Sequence, residues 1–160
     1  MHYYIDGYNW LFRTPKTPES LEIRRRAFIH AIHELVLDRN CLVTLVFDSS
    51  DPSRDISSKG NYRSLEIVFT PKKQTADQYI EQAVESAQQP KNITVVTLDR
   101  ELRDKCRLRG SQVLSMKEFQ HLFSKKRKVS QEKQFQDIPS QTARLLKIFE
   151  KKLLDDLSHE

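Results

Sequence analysis

Short runs of apolar residues alternate along the chain with segments in which apolar residues recur at helical spacing. The run at residues 41–47 is almost continuously apolar, which is typical of a strand covered on both faces of a parallel sheet. Repeated alternation of strands and helices predicts an α/β fold with crossover connections and a mostly parallel sheet. The predicted strands are residues 3–5, 41–47, 65–69, 93–97 and 112–115.

The segments between these strands carry helix signals. The first helix is predicted to begin at Thr17-Pro18-Glu19, which combines an N-cap hydroxyl, a proline and an acid. Thr75 and Gln78 have the spacing of a capping box, so a second helix is predicted to follow Thr75. The side chains predicted to face the core are Leu21, Phe28, Ile32, Leu35 and Val36, then Ile80, Ala83, Val84 and Ala87, and finally Phe119, Leu122 and Phe123.

The remaining segments set the predicted domain organisation. A short helix over residues 100–109 is predicted to end at Gly110, and the polar residues 49–64 are predicted to form a long loop. Residues 124–138 are rich in Lys, Ser and Gln and are predicted to be a linker. A helical tail within 139–160 would need to dock, because an isolated helix of that length is marginal in water.

The length of 160 residues suits one compact domain, which we expect to span residues 1–123. No window approaches 18 consecutive apolar residues, and the N-terminus lacks the pattern of a secretory signal. Cys41 and Cys106 are therefore expected to be buried thiols in a cytoplasmic protein. With three glycines in the chain, no glycine-rich loop for cradling phosphates is present.

The net charge of +5 permits a polyanionic partner without requiring one. Two basic clusters stand out, one at Arg24-Arg25-Arg26 and one formed by four consecutive residues late in the chain. Each cluster has two interpretations, a solvated surface or linker and a set of phosphate contacts. The second cluster consists of Lys125, Lys126, Arg127 and Lys128.

An aspartate follows each of the four strong predicted strands: Asp6, Asp48, Asp77 and Asp99. Since parallel strands end at the same edge of a sheet, these carboxylates are expected to converge there. Clustered carboxylates repel unless a cation compensates them, and Mg²⁺ prefers oxygen ligands. A divalent ion at this edge can activate a water for attack on phosphorus.

Two further residues are candidates for the same site. Glu81 lies one helical turn after Asp77, so it can join the carboxylates, and Asn9 offers an amide near Asp6. Each acid also has a simpler structural interpretation. Asp99 can be an N-cap, Asp77 can favour the helix dipole, and the others can begin turns or lie exposed. The joint placement after successive strands favours the metal site.

Several motifs occur in a defined order and spacing. They are Ile5-Asp6-Gly7-Tyr8-Asn9, Val46-Phe47-Asp48, Val68-Phe69-Thr70, Gln74-Thr75-Ala76-Asp77-Gln78-Tyr79-Ile80-Glu81 and Val96-Thr97-Leu98-Asp99-Arg100. Together they resemble the YacP-like branch of the NYN domains, within the PIN-like nuclease superfamily. The resemblance covers residues 1 to about 123 and implies a three-layer PIN-like sheet with helices on both faces.

The resemblance also implies an activity. Enzymes of this superfamily hold Mg²⁺ or Mn²⁺ with acids at the strand ends and cut single-stranded RNA. By this similarity Asp6, Asp77 and Asp99 match the metal-binding acids, Asp48 matches a further acidic position and Asn9 matches the family asparagine. One branch acts on mRNA associated with the ribosome, so the resemblance implies a ribosomal partner. The expected function is a metal-dependent endoribonuclease.

Other residues are candidates for contact with RNA. Arg100 is placed next to Asp99 and can contact a phosphate, while Tyr8 can stack on an unpaired base. Tyr62 and Arg63 of the predicted loop can grip a strand, and the late basic cluster can bind ribosomal RNA. The aromatic residues have the alternative of packing in the core, and the basic cluster that of a linker.

Two rival functions remain open from the sequence. The first is an RNA-binding or ribosome-binding module with a weak or silent metal site. The second is a small-molecule phosphatase or phosphoacceptor on a doubly wound sheet, which also places an aspartate after its first strand. Such a phosphatase usually needs a second acid two residues later, and here that position is Tyr8.

Overall fold

The structure, a computed structural model, describes residues 1–14, 17–49 and 58–124. Its centre is a six-stranded sheet in the order β3-β4-β2-β1-β5-β6, with every neighbouring pair parallel except β3 and β4. The predicted mostly parallel α/β sheet is confirmed. The strands are β1 (His2–Asp6), β2 (Leu42–Phe47), β3 (Ser58–Tyr62), β4 (Leu65–Phe69), β5 (Ile93–Val96) and β6 (Gln112–Leu114).

Helices cover both faces of the sheet. On one face α1, α2 and α5 surround a core that contains the buried rings of Phe28, Phe47 and Phe119. On the other face α3 and α4 pack around Ile80 and Cys106. The three-layer arrangement implied by the resemblance is therefore present. The helices are α1 (Gly7–Leu11), α2 (Leu21–Val36), α3 (Ala76–Glu85), α4 (Arg100–Leu108) and α5 (Met116–Ser124), with a 3₁₀ turn at Pro90–Asn92.

The strand register aligns the ends of the parallel strands. Asp6 pairs with Val46, and Phe47 pairs with Phe69, so β1, β2 and β4 end at the same level. We call this side of the sheet the carboxyl edge and the side where the parallel strands begin the opposite edge. The connections after β1, β2, β4 and β5 all leave from the carboxyl edge.

Helix α2 begins later than the sequence predicts. Its N-cap is Ser20, whose hydroxyl accepts a hydrogen bond of 3.3 Å from the backbone N–H of Ile23. The predicted start at Thr17 is wrong because Ser20 supplies the same capping chemistry directly before the apolar stripe. Leu21 and Leu122 were predicted to be buried and are instead 36% and 51% exposed.

Strand β3 lies within the predicted loop of residues 49–64. Its sequence, Ser-Lys-Gly-Asn-Tyr, lacks the apolar alternation of a half-buried strand, and its first four residues are exposed. The strand exists because its backbone pairs with β4, with Ser58 opposite Phe69 and Tyr62 opposite Leu65. The loop prediction is wrong for this segment, since backbone pairing leaves no trace in the side-chain pattern.

Several other predictions have clear outcomes. The capping box of Thr75 and Gln78 is present, and α4 is followed by Gly110 with a φ of 88°. Both cysteines are free thiols, and burial raises the pKa of Cys106 to about 11. Among the residues described, no helix has the length and apolar character needed to cross a bilayer. The predicted linker, tail helix and late basic cluster (Lys125–Lys128) lie outside the described residues.

Candidate functional site

The junction of β1 and α1 positions the first acid. Asp6 is the last residue of β1 and the N-cap of α1, and its Oδ1 accepts a hydrogen bond of 3.1 Å from the backbone N–H of Asn9. The helix starts directly at Gly7, where a Cβ would lie 2.1 Å from Cε1 of Phe47. Glycine therefore allows α1 to lie close against β2, and Asp6 is held at the carboxyl edge with 7% of its surface exposed.

The junction between β2 and α3 brings two more acids to the same edge. Asp48 directly follows β2, and its Oδ1 accepts a hydrogen bond of 2.6 Å from the backbone N–H of Ala76, the first residue of α3. The capping box at Thr75 fixes the first turn of α3, which contains Asp77. Asp48 thus links the end of a strand to the N-terminus of the helix that carries Asp77.

Asp99 follows β5 and is the N-cap of α4. Its Oδ1 accepts a hydrogen bond of 2.9 Å from the backbone N–H of Leu102. Its own backbone N–H donates to Oγ1 of Thr97 at 3.1 Å. The structural interpretation of Asp99 as a cap is correct. The capping bond uses one carboxylate oxygen and leaves the other for further contacts.

The pKa shifts indicate that these acids face one another. Burial raises the pKa of Asp6 to about 7, and the negative charges of Asp77 and Asp48 add to this rise, while the bond from Asn9 opposes it. The pKa of Asp77 is also raised, mainly by burial, with contributions from Asp99 and Asp48. The four aspartates thus lie at the carboxyl edge within range of one another's charge, with Asp6 buried, Asp77 and Asp99 half-buried and Asp48 exposed, and we call them the acidic group.

The acidic group fits a hydrated hard cation better than a closed cage of protein ligands. Within residues 1–14, 17–49 and 58–124, no three His, Cys, Asp or Glu side chains are close enough together to enclose a metal ion. However, Oδ1 of Asp77 is buried without a hydrogen-bond partner, which is costly unless a ligand satisfies it. Mg²⁺ keeps several waters and binds through one or two carboxylates, so this donor set suits it.

A cleft of about 210 Å³ opens beside the acidic group, between the first turns of α3 and α4. Asp77 and Asp99 line it, together with Glu81 and Lys105. A larger groove of about 650 Å³ shares Gln78 and Glu81 with this cleft and continues along α3 past Lys72 and Lys73. The site is therefore accessible from solvent at the carboxyl edge.

Glu81 lies on the same helix as Asp77 but has different neighbours. Its two carboxylate oxygens form ion pairs with Lys105 of α4 at 3.3 Å and with Arg109, the C-cap of α4, at 2.9 Å. The prediction that Glu81 binds a metal is untested, and these ion pairs argue against direct coordination. Its evident role is to join α3 to α4.

Tyr8 is not available to stack on RNA. Its side chain is 6% exposed, and its hydroxyl accepts a hydrogen bond of 2.9 Å from Arg25. Its ring packs edge-on against Phe47 and stacks on Phe12, with centroids 5.2 Å apart. The alternative of a core aromatic is correct, because α1 turns this side of the helix towards β2.

Phe12, which the sequence analysis missed, is 64% exposed although it is a large apolar ring. It is the C-cap of α1 and rests on Tyr8, so the same stack that buries Tyr8 presents Phe12 to solvent. Trp10 stacks on Phe28 and belongs to the core side of α1. No sequence signal distinguishes these three rings, because their orientation depends on how α1 packs.

Tyr62 and Arg63 lie at the opposite edge of the sheet. Because β3 is antiparallel, its last residue, Tyr62, pairs with the first residue of β4. The Tyr62 hydroxyl lies 3.1 Å from Nδ1 of His30, and Nη1 of Arg63 lies 3.4 Å from Nε2 of His33. The direction of β3 carries these two residues away from the acidic group, and the hypothesis that they hold an RNA strand stays a prediction.

The basic cluster Arg24-Arg25-Arg26 mainly supports the fold. Arg24 donates to the backbone carbonyl of Leu11 at 2.6 Å and so holds the end of α1. Arg25 binds Tyr8 and lies over the ring of Phe69, and Arg26 pairs with a glutamate on its own helix. Arg100, by contrast, is exposed in the first turn of α4 beside Asp99.

Comparison with known proteins gives one family and one group of structures. The model of the YacP-like NYN domain matches residues 3–159. A crystal structure of a mutant of Rae1 (YacP) from Bacillus subtilis has 21% identity and a TM-score of 0.58, with all of both chains covered. A second Rae1 (YacP) crystal structure from Bacillus subtilis has 18% identity and a TM-score of 0.56, and covers 99% of this chain and 82% of the other. No curated protein sequence matches.

Proposed function

Because the chain belongs to the YacP-like NYN domain family, we propose that it is a metal-dependent endoribonuclease that cleaves single-stranded RNA. Family membership supports a nuclease-type function related to RNA. The observation that carries the finer proposal is the pair formed by buried Asp6 and half-buried Asp77, whose pKa values are both raised. Such a pair is costly in a protein that keeps it merely for structure, and a bound cation would offset the cost.

The proposed ligands are Asp6 and Asp77, and Asp48 and Asp99 are proposed to bind the ion through water. Mg²⁺ or Mn²⁺ bound here would polarise the scissile phosphodiester and offset the negative charge of the transition state. The capping bonds hold one oxygen of Asp6, Asp48 and Asp99, so these carboxylates are fixed before any ligand arrives. Preorganised acids of this kind lose little entropy on binding.

Neighbouring side chains are proposed to position the substrate. Asn9 is half-buried in α1, within one turn of Asp6, where its amide can donate a hydrogen bond to a phosphate or an attacking water. Arg100 is exposed beside Asp99 and can contact a phosphate next to the one that is cut.

Phe12 is proposed to take the stacking role that the sequence assigned to Tyr8. One face of its ring rests on Tyr8, and a base can stack on the exposed side. We expect Phe12→Ala to weaken binding of a single-stranded oligoribonucleotide at least about 5-fold, since stacking of one base is worth roughly 1–3 kcal/mol. Leu42→Ala is the control, because Leu42 is also 64% exposed but begins β2 at the opposite edge.

We further propose that the protein is cytoplasmic and acts on mRNA at the ribosome. This part of the proposal rests on the family resemblance. The test uses the full chain with a labelled single-stranded RNA and with ribosome-bound mRNA, in Mg²⁺, in Mn²⁺ and in excess chelator. Cleavage of the RNA is expected with either metal, and no cleavage is expected in excess chelator. Asp6→Asn is expected to abolish cleavage while circular dichroism stays unchanged.

Two outcomes would count against the proposal. A double variant, Asp6→Asn with Asp77→Asn, that cuts as fast as the parent would show that the acidic group is not the active site. RNA binding without cleavage, even on ribosomes, would favour an RNA-binding module with a silent metal site. That alternative is kept because no three-ligand metal site is preformed among the residues described.

A further inference from the structure

Helix α4 is unusually rich in cations, and they divide into two groups. Lys105 and Arg109 face α3 and form ion pairs with Glu81, and Lys105 also pairs with Glu101 at 2.8 Å. The other group consists of Arg100, Arg103 and Arg107, which we call the arginine stripe. Within the part of the chain that the structure describes, none of the stripe residues has a carboxylate within the 4.0 Å of an ion pair.

The arginine stripe lies along one side of α4. At 3.6 residues per turn, Arg107 lies about 20° from Arg100 around the helix axis and Arg103 about 60° from it. The three Cα atoms rise by roughly 4.5 Å and then roughly 6 Å along the axis. Arg100 and Arg107 are exposed and Arg103 is half-buried, so the guanidinium groups border solvent.

The stripe begins at the acidic group and leads away from it. Arg100 is the first residue of α4 and directly follows Asp99, its N-cap. The helix then runs from the carboxyl edge towards the opposite edge, because it returns the chain to the start of the parallel strand β6. A polyanion bound at the acidic group can therefore continue along the stripe.

Two nearby acids weaken the positive potential without cancelling it. Asp104 is exposed on the same side of α4, between Arg100 and Arg107. Glu118 accepts a 2.6 Å hydrogen bond from the backbone N–H of Ser115, and this bond holds its pKa low, with smaller contributions from Arg103 and Arg107. The stripe therefore keeps an excess of positive charge beside a site that is proposed to cut RNA.

We infer that the arginine stripe binds the phosphate backbone of the RNA on one side of the scissile bond. This inference rests on the proposed function, because it extends the substrate path from the acidic group. Arginine suits the role, since its guanidinium binds phosphate through two parallel hydrogen bonds and stays charged at every relevant pH. The contacts are to the backbone and carry no base preference.

The test measures binding of the full chain to a fluorescein-labelled single-stranded oligoribonucleotide in chelator, so that cleavage cannot interfere. Anisotropy is followed between about 50 and 200 mM salt, the range over which phosphate contacts weaken strongly. The double variant Arg103→Gln with Arg107→Gln is expected to reduce the slope of log affinity against log salt by about 1.4, or about 0.7 for each lost phosphate contact. Its affinity at 100 mM salt should fall about 10-fold.

The matched control is Arg26→Gln with Lys91→Gln, which removes the same charge away from the stripe. Arg26 lies on α2, and Lys91 is in the turn before β5, at the opposite edge. Arg103→Lys with Arg107→Lys keeps the charge and should keep the slope. Asp104→Asn removes the acid within the stripe and is expected to raise the affinity about 2-fold.

Either an unchanged slope in the Gln variant or an equal loss in the control would overturn the inference. An absence of RNA binding by the parent would overturn it as well. If only the proposed nuclease function is wrong, the results differ. The parent then binds RNA and the Gln variant has a reduced salt dependence of binding, but neither protein cuts RNA with Mg²⁺ or Mn²⁺. If the parent cuts RNA and the Gln variant keeps the salt dependence of the parent, the nuclease proposal stands and the proposed role of the arginine stripe is rejected.

Discussion

Two carboxylates on helix α3 lie one turn apart and meet opposite surroundings. Glu81 is paired with Lys105 and Arg109, so its negative charge is balanced by cations of α4. Asp77 faces Asp6 and the other members of the acidic group, and one of its buried oxygens has no hydrogen-bond partner. The cations at α4 pair with Glu81, and none of them forms an ion pair with Asp77 among the residues described.

This difference separates a stabilising cluster from a site prepared for a ligand. Ion pairs such as those of Glu81 satisfy both partners in the folded state. A group of neighbouring acids that includes a buried carboxylate and has no paired cation raises the free energy of the folded state until a proton or a metal ion binds. We therefore expect a ligand-binding role for the acidic group, whose charges are not compensated, and a stabilising role for Glu81, whose charge is compensated.

The largest expected effect distinguishes the two carboxylates directly. Asp77→Asn is expected to lower the rate of RNA cleavage at least about 100-fold, because a proposed metal ligand and its charge are lost. Glu81→Gln is expected to keep cleavage within about 3-fold and to lower the free energy of unfolding by about 1 kcal/mol, because its ion pairs weaken. Cleavage assays and urea denaturation measure the two quantities. If both variants lost cleavage equally, Asp77 and Glu81 would not have the different roles proposed for them.

The next effect concerns the packing that holds Asp6 in place. Gly7→Ala would put a Cβ 2.1 Å from the ring of Phe47, so α1 or the ring must move. We expect the free energy of unfolding to fall by about 2–3 kcal/mol and cleavage to weaken, because Asp6 caps α1 at this point. The control is Gly60→Ala, where nothing lies within 4 Å of the added Cβ and the change should stay within about 0.5 kcal/mol.

A smaller effect appears in the pH dependence of stability without metal. Asp6 has an ordinary pKa of 3.8 and a folded-state pKa of about 7, so between these values the folded state binds more protons than the unfolded state. The free energy of unfolding should therefore fall as the pH rises through this window, which is the sign expected for a raised carboxyl pKa. The effect of Asp6 disappears below pH 3.8, where both states are protonated.

Asp6→Asn isolates this contribution, because asparagine also caps helices well. We expect the variant to be clearly more stable than the parent at pH 7.5, and we expect the two proteins to be much closer in stability near pH 4. Chemical denaturation of both proteins in chelator at the two pH values is the measurement. A difference that does not change with pH would mean that the acidic group does not hold Asp6 protonated.

Much of the fold was predictable because its signals are local. The five parallel strands and the caps at Thr75 and Asp99 follow from residues within about four positions of each other. Strand β3 was not predictable, because its exposed polar residues are ordered through backbone bonds to β4 and not through their own pattern. The start of α2 was displaced because two nearby hydroxyl residues can both serve as caps.

The candidate site divides in the same way. The convergence of the acidic group followed from the rule that parallel strands end at one edge, which needs only strand order and direction. The placement of individual aromatic and basic residues did not follow from such a rule. Tyr8 is inside, Phe12 is outside, and Tyr62 and Arg63 are at the opposite edge.

By itself the sequence determined the alternation of strands and helices and the aspartate at the end of each strong strand. Those features depend on apolar spacing and on capping, which act over one or two turns. Only the tertiary structure decided which carboxylate has a cation beside it, since Lys105 and Arg109 reach Glu81 across 24 and 28 positions of chain. Contacts between residues so far apart depend on how whole helices pack, and spacing along the chain cannot specify that.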